Sequence, residues 1–352
     1  MTEGPLEFYV DPDEAGERID RILAERWPEF SRSHLQKAFA AGEVTVDGRP
    51  RAKSYRPGAG AAVAVRLPPL PAIDIVPEPI PLVIVYEDEH LLVIDKPAGM
   101  VSHPAPGHPG GTLVNALLHH DQRLAAAGDP LRPGLVHRLD RLTSGLLVVA
   151  RNPQAHRALG EQLRDRTLGR IYLALSWGAW PRAQGTLTGA LARHPRDRQR
   201  IAVVAQGGRS ATTHYRVIDD LAFVQLCRVR LETGRTHQIR VHFAHHGHPV
   251  VGDPVYGDDA RARNVRPVDR AAAARLARAA TRQLLHAWIL TCRHPGDGRP
   301  LVFTTPLPAD FAAALAGLRR DLGRSAGGPE QTDPTLDPTL DPTKASAPPG
   351  AL

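Results

Sequence analysis

The chain has 352 residues, of which 42% are apolar and 23% charged, with a formal net charge of +7 and a pI of about 9.8. The length favours two or three domains. The positive excess favours a polyanionic partner such as nucleic acid, unless a genomic bias toward arginine and alanine produces it. The sequence has neither a run of about 18 apolar residues nor the apolar core of a signal peptide, so we expect a soluble cytoplasmic protein without a membrane span.

Residues 15–66 predict a small basic domain, which follows an N-terminal segment of residues 1–14. In ERIDRILAERW the apolar residues recur at helical spacing, and a second helix follows in which Leu35 and Phe39 share a face. Two short strands, EVTVDGRP and AAVAVRL, complete the unit, and the first contains an Asp-Gly turn. We therefore expect a small α/β domain of two helices and a few strands.

Two segments of unusual composition bound the rest of the chain. Residues 67–81 are rich in proline, which resists helix formation and predicts a semi-extended linker. Residues 324–352 contain DPTLDPTLDPT and offer almost nothing to bury, so we predict a disordered tail. Residues 82–323 then form one larger domain.

Strands outnumber helices along this larger domain. The predicted strands lie in LVIVYEDEHLLVIDKP, GRIYLALSWG, the hairpin TTHYRVIDDLAFVQLCRVRLETG and HAWILTCRHP. The predicted helices are TLVNALLHH, capped by Thr112, PQAHRALGEQLRD, and RTHQIRVHFAHHG, which ends at Gly247. Many strands with few intervening helices predict an α+β domain with a largely antiparallel, mixed sheet.

One carboxylate lies between two arginines at the start of an apolar strand. In GLVHRLDRLTSGLLVVA, Asp140 stands between Arg138 and Arg141, and GLLVVA predicts a buried strand. Nearby positive charge favours the ionised carboxylate, and an ionised aspartate on a rigid strand end can act as a nucleophile or a base. The alternative is a structural ion pair at the strand end.

A second candidate region is LETGRTHQIRVHFAHHGHPVVGDPVYG, in which we place Arg235 in the first turn of a helix, within reach of a partner at the sheet end. Its five histidines lack metal-ligand spacing, so we expect no metal site. Cys227 and Cys292 lie in apolar runs and are expected to be small buried residues. Tyr172 alternates with leucines on a strand, which alone indicates core packing.

Together these segments resemble the RluA-type pseudouridine synthases. HRLDRLTSGLLVVARN, GRIYLALSWG and ETGRTHQIRVHFAHHGHPVVGDPVYG are similar to three successive motifs of that family, and KPAGMVSHPAPGHPGGTLVNALLHH is similar to the segment before them. The resemblance covers residues 82–315. Residues 15–66 resemble an S4 RNA-binding domain, and this fusion is most like the branch that acts on large-subunit ribosomal RNA.

The resemblance implies an isomerisation of uridine to pseudouridine in structured RNA. The N1–C1′ bond breaks, the uracil turns over, and C5 bonds to C1′, so no cofactor and no metal are needed. The catalytic aspartate of the family falls on Asp140, which either attacks C1′, as carboxylates do in glycosidases, or acts as a base at the 2′ position. Both routes need a pocket that excludes water and holds the detached uracil.

The resemblance also carries roles to three residues around Asp140. Tyr172 would stack under the uracil and help to remove the C5 proton. Arg235 would pair with the catalytic aspartate and keep it ionised and oriented. Arg138 would enter the RNA stack and occupy the space left by the extruded base.

Further RNA contacts follow from the same resemblance. Ile239 would line the pocket wall, and Arg141 would contact phosphate. Leu142 stands where many relatives have a polar residue, and Arg170 where a lysine is common. In the S4-like unit four cations fall where a basic RNA face is expected: Arg32, Lys37, Arg49 and Lys53.

The competing hypotheses are a non-catalytic RNA-binding assembly factor that kept the scaffold, and a hydrolase that uses Asp140. Loss of Asp140 or Tyr172 would have favoured the first, and both are present. Against the hydrolase, the sequence contains neither a DxDxT signature nor a GxSxG elbow. We therefore expect a monomeric, cytoplasmic RNA pseudouridine synthase without a cofactor.

Overall fold

A computed structural model describes most of the chain, namely residues 5–27, 32–67, 75–104, 108–128, 132–197, 200–257 and 259–324, without the side chains of 32–34 and 259. The chain divides into two compact units, Met1–Ile75 with Gly128–Arg132, and Val76–Ala127 with Pro133–Leu352. Residues 68–74 of the predicted linker and residues 325–352 of the predicted tail lie outside the described residues.

The smaller unit contains two helices and a four-stranded antiparallel sheet. The helices are α1 (Ile19–Arg26) and α2 (Arg32–Ala40), and the strands are β1 (Leu6–Tyr9), β2 (Val44–Val46), β3 (Arg49–Pro50) and β4 (Ala62–Val65). The sheet order is β1-β4-β2-β3. The two helices and the strands β2 and β4 confirm the sequence prediction, whereas β1 falls in the segment that we had placed before the domain.

Local chemistry explains this small sheet. Asp47 and Gly48 both have positive φ angles, 52° and 71°, which is the backbone of a tight hairpin turn between β2 and β3. One face of the sheet packs on the two helices because their apolar residues recur at helical spacing. The buried core shared by helices and sheet includes Ile19, Ile22, Leu23, Leu35, Val44, Val46, Val63 and Val65.

The larger unit is built on one ten-stranded sheet. Its strands are β5 (Val83–Glu87), β6 (Leu91–Lys96), β7 (Ser144–Ala150), β8 (Gly169–Trp177), β9 (Gln184–Arg193), β10 (Ile201–Val204), β11 (Arg209–Leu221), β12 (Val224–Leu231), β13 (Leu285–Arg293) and β14 (Pro300–Thr304). The order is β10-β9-β11-β12-β8-β13-β7-β6-β5, and β14 pairs with β13. Among the described strands, β13 and β7 alone run parallel. The α+β fold with a largely antiparallel, mixed sheet is confirmed.

Five helices accompany this sheet: α3 (Leu113–His120), α4 (Pro153–Arg164), α5 (Gln238–His245), α6 (Arg270–Ala279) and α7 (Ala309–Asp321). Thr112 caps α3 as predicted, since its side chain accepts a hydrogen bond from the backbone N–H of Asn115. The helix α5 begins three residues after Arg235, so the prediction of its start was wrong. We did not predict α6 and α7, which pack on the sheet.

The two faces of the sheet carry different layers. Leu173 and Leu175 of β8 belong to the core that α6 and α7 cover. Because side chains alternate along a strand, Tyr172 lies on the opposite face. Cys227 and Cys292 are buried, as expected. No helix in the described part of the chain is long and apolar enough to cross a membrane.

A glycine fixes the start of β7, directly after the loop that carries Asp140. Gly145 has a φ of 111°, and a Cβ atom there would lie 2.2 Å from the carbonyl oxygen of Ala287 on β13. Only glycine allows this close approach of the two parallel strands. The Ser-Gly pair therefore anchors the Asp140 loop to the centre of the sheet.

Candidate active site

Two hydrogen bonds to backbone carbonyl groups fix the loop that carries Asp140. The N–H of Thr143 donates to the carbonyl of Asp140 at 3.0 Å, and the hydroxyl of Ser102 donates to the carbonyl of Leu139 at 2.9 Å. Leu139 is buried, whereas the side chain of Asp140 keeps 18% of its exposure. The carboxylate is thus fixed in place and still accessible.

Arg240 on α5 is the partner of Asp140. Its Nη1 donates to Asp140 Oδ2 at 3.0 Å, while Nε and Nη2 donate to the two oxygens of Asp253 at 2.6 and 2.8 Å. Asp253 is buried and also accepts the backbone N–H groups of Val255 and Tyr256. Burial opposes the charge of Arg240, but the two aspartates outweigh it and raise the pKa of Arg240. Asp253 therefore orients the arginine that holds Asp140.

The expectation that Arg235 pairs with Asp140 was wrong. Arg235 lies in the turn before α5, and its Nε donates to the carbonyl of Ser210 at 3.2 Å. Burial, followed by repulsion from Arg209, lowers the pKa of Arg235. The reason is the late start of α5 at Gln238, which places Arg240 rather than Arg235 on the first helical turn.

A histidine that sequence reasoning missed also faces Asp140. His237 has a left-handed backbone, with φ of 55°, and its Nε2 lies 4.0 Å from Asp140 Oδ1. Its Nδ1 lies 2.9 Å from the hydroxyl of Tyr256, which in turn accepts the N–H of Ile201. Burial lowers the pKa of His237 and outweighs the attraction of Asp140. A neutral imidazole therefore stands beside the carboxylate.

Lys96 links the loop after β6 to the loop that carries Asp140. It is fully buried at the end of β6, and its Nζ donates to the carbonyls of Pro97, Met100 and Arg141 at 2.7, 3.0 and 3.3 Å. Burial lowers the pKa of Lys96 to about 7, against the attraction of Asp140. The sequence signal, a lysine at the end of an apolar strand before Pro-Ala-Gly, was present but not interpreted.

The predicted aromatic residue lies in the same neighbourhood. Tyr172 is buried on β8, opposite Val229 and Ala287 in the sheet. Burial raises the pKa of Tyr172, Arg170 opposes this rise, and Asp140 adds to it. The negative charge of Asp140 is thus one of the influences on the phenol.

The remaining predicted residues of the larger unit are distributed around Asp140. Ile239 is buried on α5, and Arg138 and Arg141 are exposed. Among the residues that the structure describes, neither of these two arginines forms an ion pair with Asp140, which pairs with Arg240 and has the imidazole of His237 beside it. The RNA contacts of Ile239, Arg138 and Arg141 stay predictions.

The basic residues predicted for the smaller unit lie on its surface as far as they are described. Lys37, Arg49 and Lys53 are exposed. The side chain of Arg32, at the start of α2, lies outside the described residues. Their contacts with RNA stay predictions. Within the described chain, no group of histidine, cysteine or acidic residues is arranged to hold a metal ion.

The arrangement suits chemistry at a carbon centre. One oxygen of Asp140 is fixed by a buried guanidinium, and the carboxylate retains exposure to an incoming ligand. A buried phenol and a neutral imidazole lie within its electrostatic reach. Such a carboxylate can attack an electrophilic carbon or accept a proton without a cofactor.

Comparisons with known proteins identify the family. Residues 90–245 match the family described as RNA pseudouridylate synthase. A protein of Xylella fastidiosa named "Ribosomal large subunit pseudouridine synthase D" is 46% identical over 87% of this chain and 90% of its own length. An "Uncharacterized RNA pseudouridine synthase" of Chloroflexus aurantiacus is 49% identical over 88% of this chain and 92% of its own.

A solved structure has the same fold. The human protein "RNA Pseudouridylate Synthase Domain Containing 4" superposes with a TM-score of 0.51 at 23% identity, over 67% of this chain and 93% of its own. The long match in sequence to curated relatives confirms the resemblance found in the motifs. The chain belongs to the RNA pseudouridylate synthase family, as an RluA-type member that isomerises uridine in RNA to pseudouridine.

Proposed function

We propose that Asp140 is the catalytic carboxylate of this enzyme and that the substrate is large-subunit ribosomal RNA. The ion pair of Asp140 with the buried Arg240 is the observation that supports the first part. The printed names of relatives such as the Xylella protein support the second.

In this mechanism Arg240 keeps the carboxylate ionised and turned toward the pocket, and Asp253 keeps Arg240 in place. The N1–C1′ bond of a flipped uridine breaks, with Asp140 acting either at C1′ or at the 2′ position. The uracil leaves with the bonding electrons on N1 and rotates while Tyr172 confines it. C5 then bonds to C1′ as the carboxylate is displaced from C1′ or, in the second route, as the 2′ proton is returned. The C5 proton is lost to solvent and N1 takes up a proton, which restores a neutral base. The reaction requires that the bound RNA and the protein together hold the free base and keep water from C1′.

We further propose that the smaller unit binds RNA as an S4-like domain. Its two helices and small sheet, with exposed Lys37, Arg49 and Lys53, support this assignment. The contacts would be mainly to phosphates, so RNA affinity should fall steeply with salt. A monomeric state and a cytoplasmic location remain part of the proposal.

Modification mapping tests the substrate. Unmodified transcripts of large-subunit RNA, small-subunit RNA and transfer RNA are incubated with the protein, and carbodiimide-reactive pseudouridines are located by primer extension. We expect stops in the large-subunit transcript alone. Stops confined to transfer RNA would overturn the assigned substrate, and no stops in any natural RNA would favour a non-catalytic RNA-binding factor.

RNA binding by the smaller unit is tested with variants in which positive side chains are replaced by neutral ones. Replacement of Lys37, Arg49 and Lys53 together by glutamine should weaken binding of the large-subunit transcript and flatten its salt dependence, because up to three phosphate contacts are lost. A matched control removes three exposed arginines of the larger unit that face no assigned site: Arg275, Arg278 and Arg320. Equal affinity for the wild type and the triple variant of the smaller unit would contradict the proposal.

A further inference from the structure

Arg170 is a buried cation without a counter-ion. It is the second residue of β8 and retains 6% of its exposure. Within the described chain, no carboxylate forms an ion pair with it, and its Nε is buried without a hydrogen-bond partner. The other buried arginines of the unit each pair with an aspartate: Arg240 with Asp253, Arg282 with Asp310, and Arg319 with Asp219.

Such a cation is unfavourable in the free protein. A buried charge without a partner loses its hydration and gains no ion pair in return. Burial accordingly lowers the pKa of Arg170, and Tyr172 opposes this shift. A guanidinium remains charged at neutral pH, so the fold keeps positive charge at this place without compensation. Uncompensated buried groups of this kind occur where a ligand completes them.

His137 provides a second unsatisfied donor, within the electrostatic reach of Arg170. The Nε2 of His137 accepts the backbone N–H of Val148 at 3.3 Å, so the ring proton is on Nδ1. This Nδ1 is buried and also has no partner. Burial, and then the charge of Arg170, lower the pKa of His137 to about 3. The Nε of Arg170 and the Nδ1 of His137 can therefore only donate hydrogen bonds, and neither has an acceptor.

The position of Arg170 relates it to the uridine pocket. Arg170 and Tyr172 are two residues apart on one strand, so they share a face and are separated by about 6.6 Å along it. Gly234 makes room for the guanidinium, because a Cβ atom there would lie 2.5 Å from Arg170 Nη1. Arg170 thus leaves the strand about one nucleotide's length from Tyr172, on the same face of the sheet.

We propose that Arg170, assisted by the Nδ1–H of His137, binds a backbone phosphate of the RNA next to the target uridine. The ligand is a phosphodiester rather than a base carbonyl because the site lacks a full negative charge, and RNA supplies one with every nucleotide. The inference rests on the proposed function, since the RNA must present its target uridine to Asp140.

The test measures binding separately from turnover. Arg170→Met and Arg170→Lys are made in an Asp140→Asn background, and binding to a large-subunit RNA transcript is followed across salt concentrations. We expect Arg170→Met to weaken binding about tenfold or more and to reduce the slope of log K against log salt by about 0.7 to 0.9, one phosphate contact. Arg170→Lys keeps the charge and should keep the slope. Arg278→Gln on α6 is the matched control for loss of one positive charge.

Thermal unfolding separates a ligand site from a structural role. Removing an uncompensated buried charge should leave the melting temperature of Arg170→Met unchanged or raise it. A lower melting temperature together with an unchanged salt slope would overturn the proposal, because Arg170 would then be satisfied within the protein itself. Release of tritium from [5-³H]uridine RNA by the wild type tests the proposed function separately, since the salt slopes do not depend on turnover.

Discussion

The guanidinium group of Arg240, which bonds two aspartates, gives the most specific prediction of the structure. Three of its hydrogen bonds join Asp140 to Asp253, and a lysine at this position has a single nitrogen that cannot serve both carboxylates. Each hydrogen bond to a charged group contributes about 1.5–3 kcal/mol, and a buried carboxylate that loses its partner costs about 3–5 kcal/mol. Arg240→Lys should therefore lower the free energy of unfolding by about 3 kcal/mol.

The same substitution should also reduce turnover. Loss of the one hydrogen bond to Asp140 corresponds to about a tenfold to hundredfold fall in kcat, because the carboxylate is no longer held in its reactive orientation. The assay is tritium release from [5-³H]uridine RNA at saturating RNA, combined with urea unfolding. Arg235→Lys is the matched control and should keep kcat and stability close to wild type. If Arg235→Lys lost turnover while Arg240→Lys kept it, the assignment of the ion pair would be refuted.

Three further predictions concern the groups around this pair. Asp253→Asn should lower kcat with little change in KM, since Asp253 positions Arg240 without reaching the substrate; a raised KM with unchanged kcat would argue against this. Burial lowers the pKa of Lys96 to about 7, whereas an unfolded lysine titrates near 10.5, so the unfolded chain binds more protons between these values. The stability of the wild type relative to Lys96→Met should then rise with pH by about 1.4 kcal/mol per unit from pH 7 to 10, and denaturant unfolding at pH 7 and 9 measures this. Burial lowers the pKa values of His242 and His286 to about 4, so stability should fall as the pH drops from 6.5 to 4, and His286→Gln should make this fall shallower; an unchanged profile would contradict it.

In the larger unit, the strands β5 to β8 and β11 to β13 and the helices α3 and α4 could be predicted because their apolar patterns are strong, whereas β9, β10 and β14 were not predicted. GRIYLALSWG and the hairpin of β11 and β12 have the alternation and the β-branched content of a sheet, and the structure confirms them. In contrast, α6 and α7 consist largely of alanine and arginine. In the sequence, their apolar stripe is too weak to distinguish a helix from a charged loop. The sheet that buries this stripe is assembled from segments that lie far apart in the sequence.

The site was predicted in part for a related reason. Asp140 and Tyr172 were assigned through the motifs that resemble the family; Asp140 lies in the loop before β7 and Tyr172 on β8. The start of α5 was misplaced because His237 adopts a left-handed backbone that propensity does not anticipate. The resemblance had assigned the ion pair to Arg235, and the expected helix start agreed with that assignment, whereas the structure places Arg240 there. An arginine within the apolar run QIRVHF was the available signal, because a cation there needs a buried counter-ion.

The central claim is that one carboxylate performs the isomerisation. Asp140→Asn keeps the size and the hydrogen-bonding surface of the side chain and removes its charge. Wild-type and variant protein are mixed with [5-³H]uridine-labelled large-subunit RNA, and tritium release is measured together with RNA affinity. We predict release by the wild type, background release by Asp140→Asn, and similar affinities for both. Release by Asp140→Asn within tenfold of the wild-type rate would contradict the account.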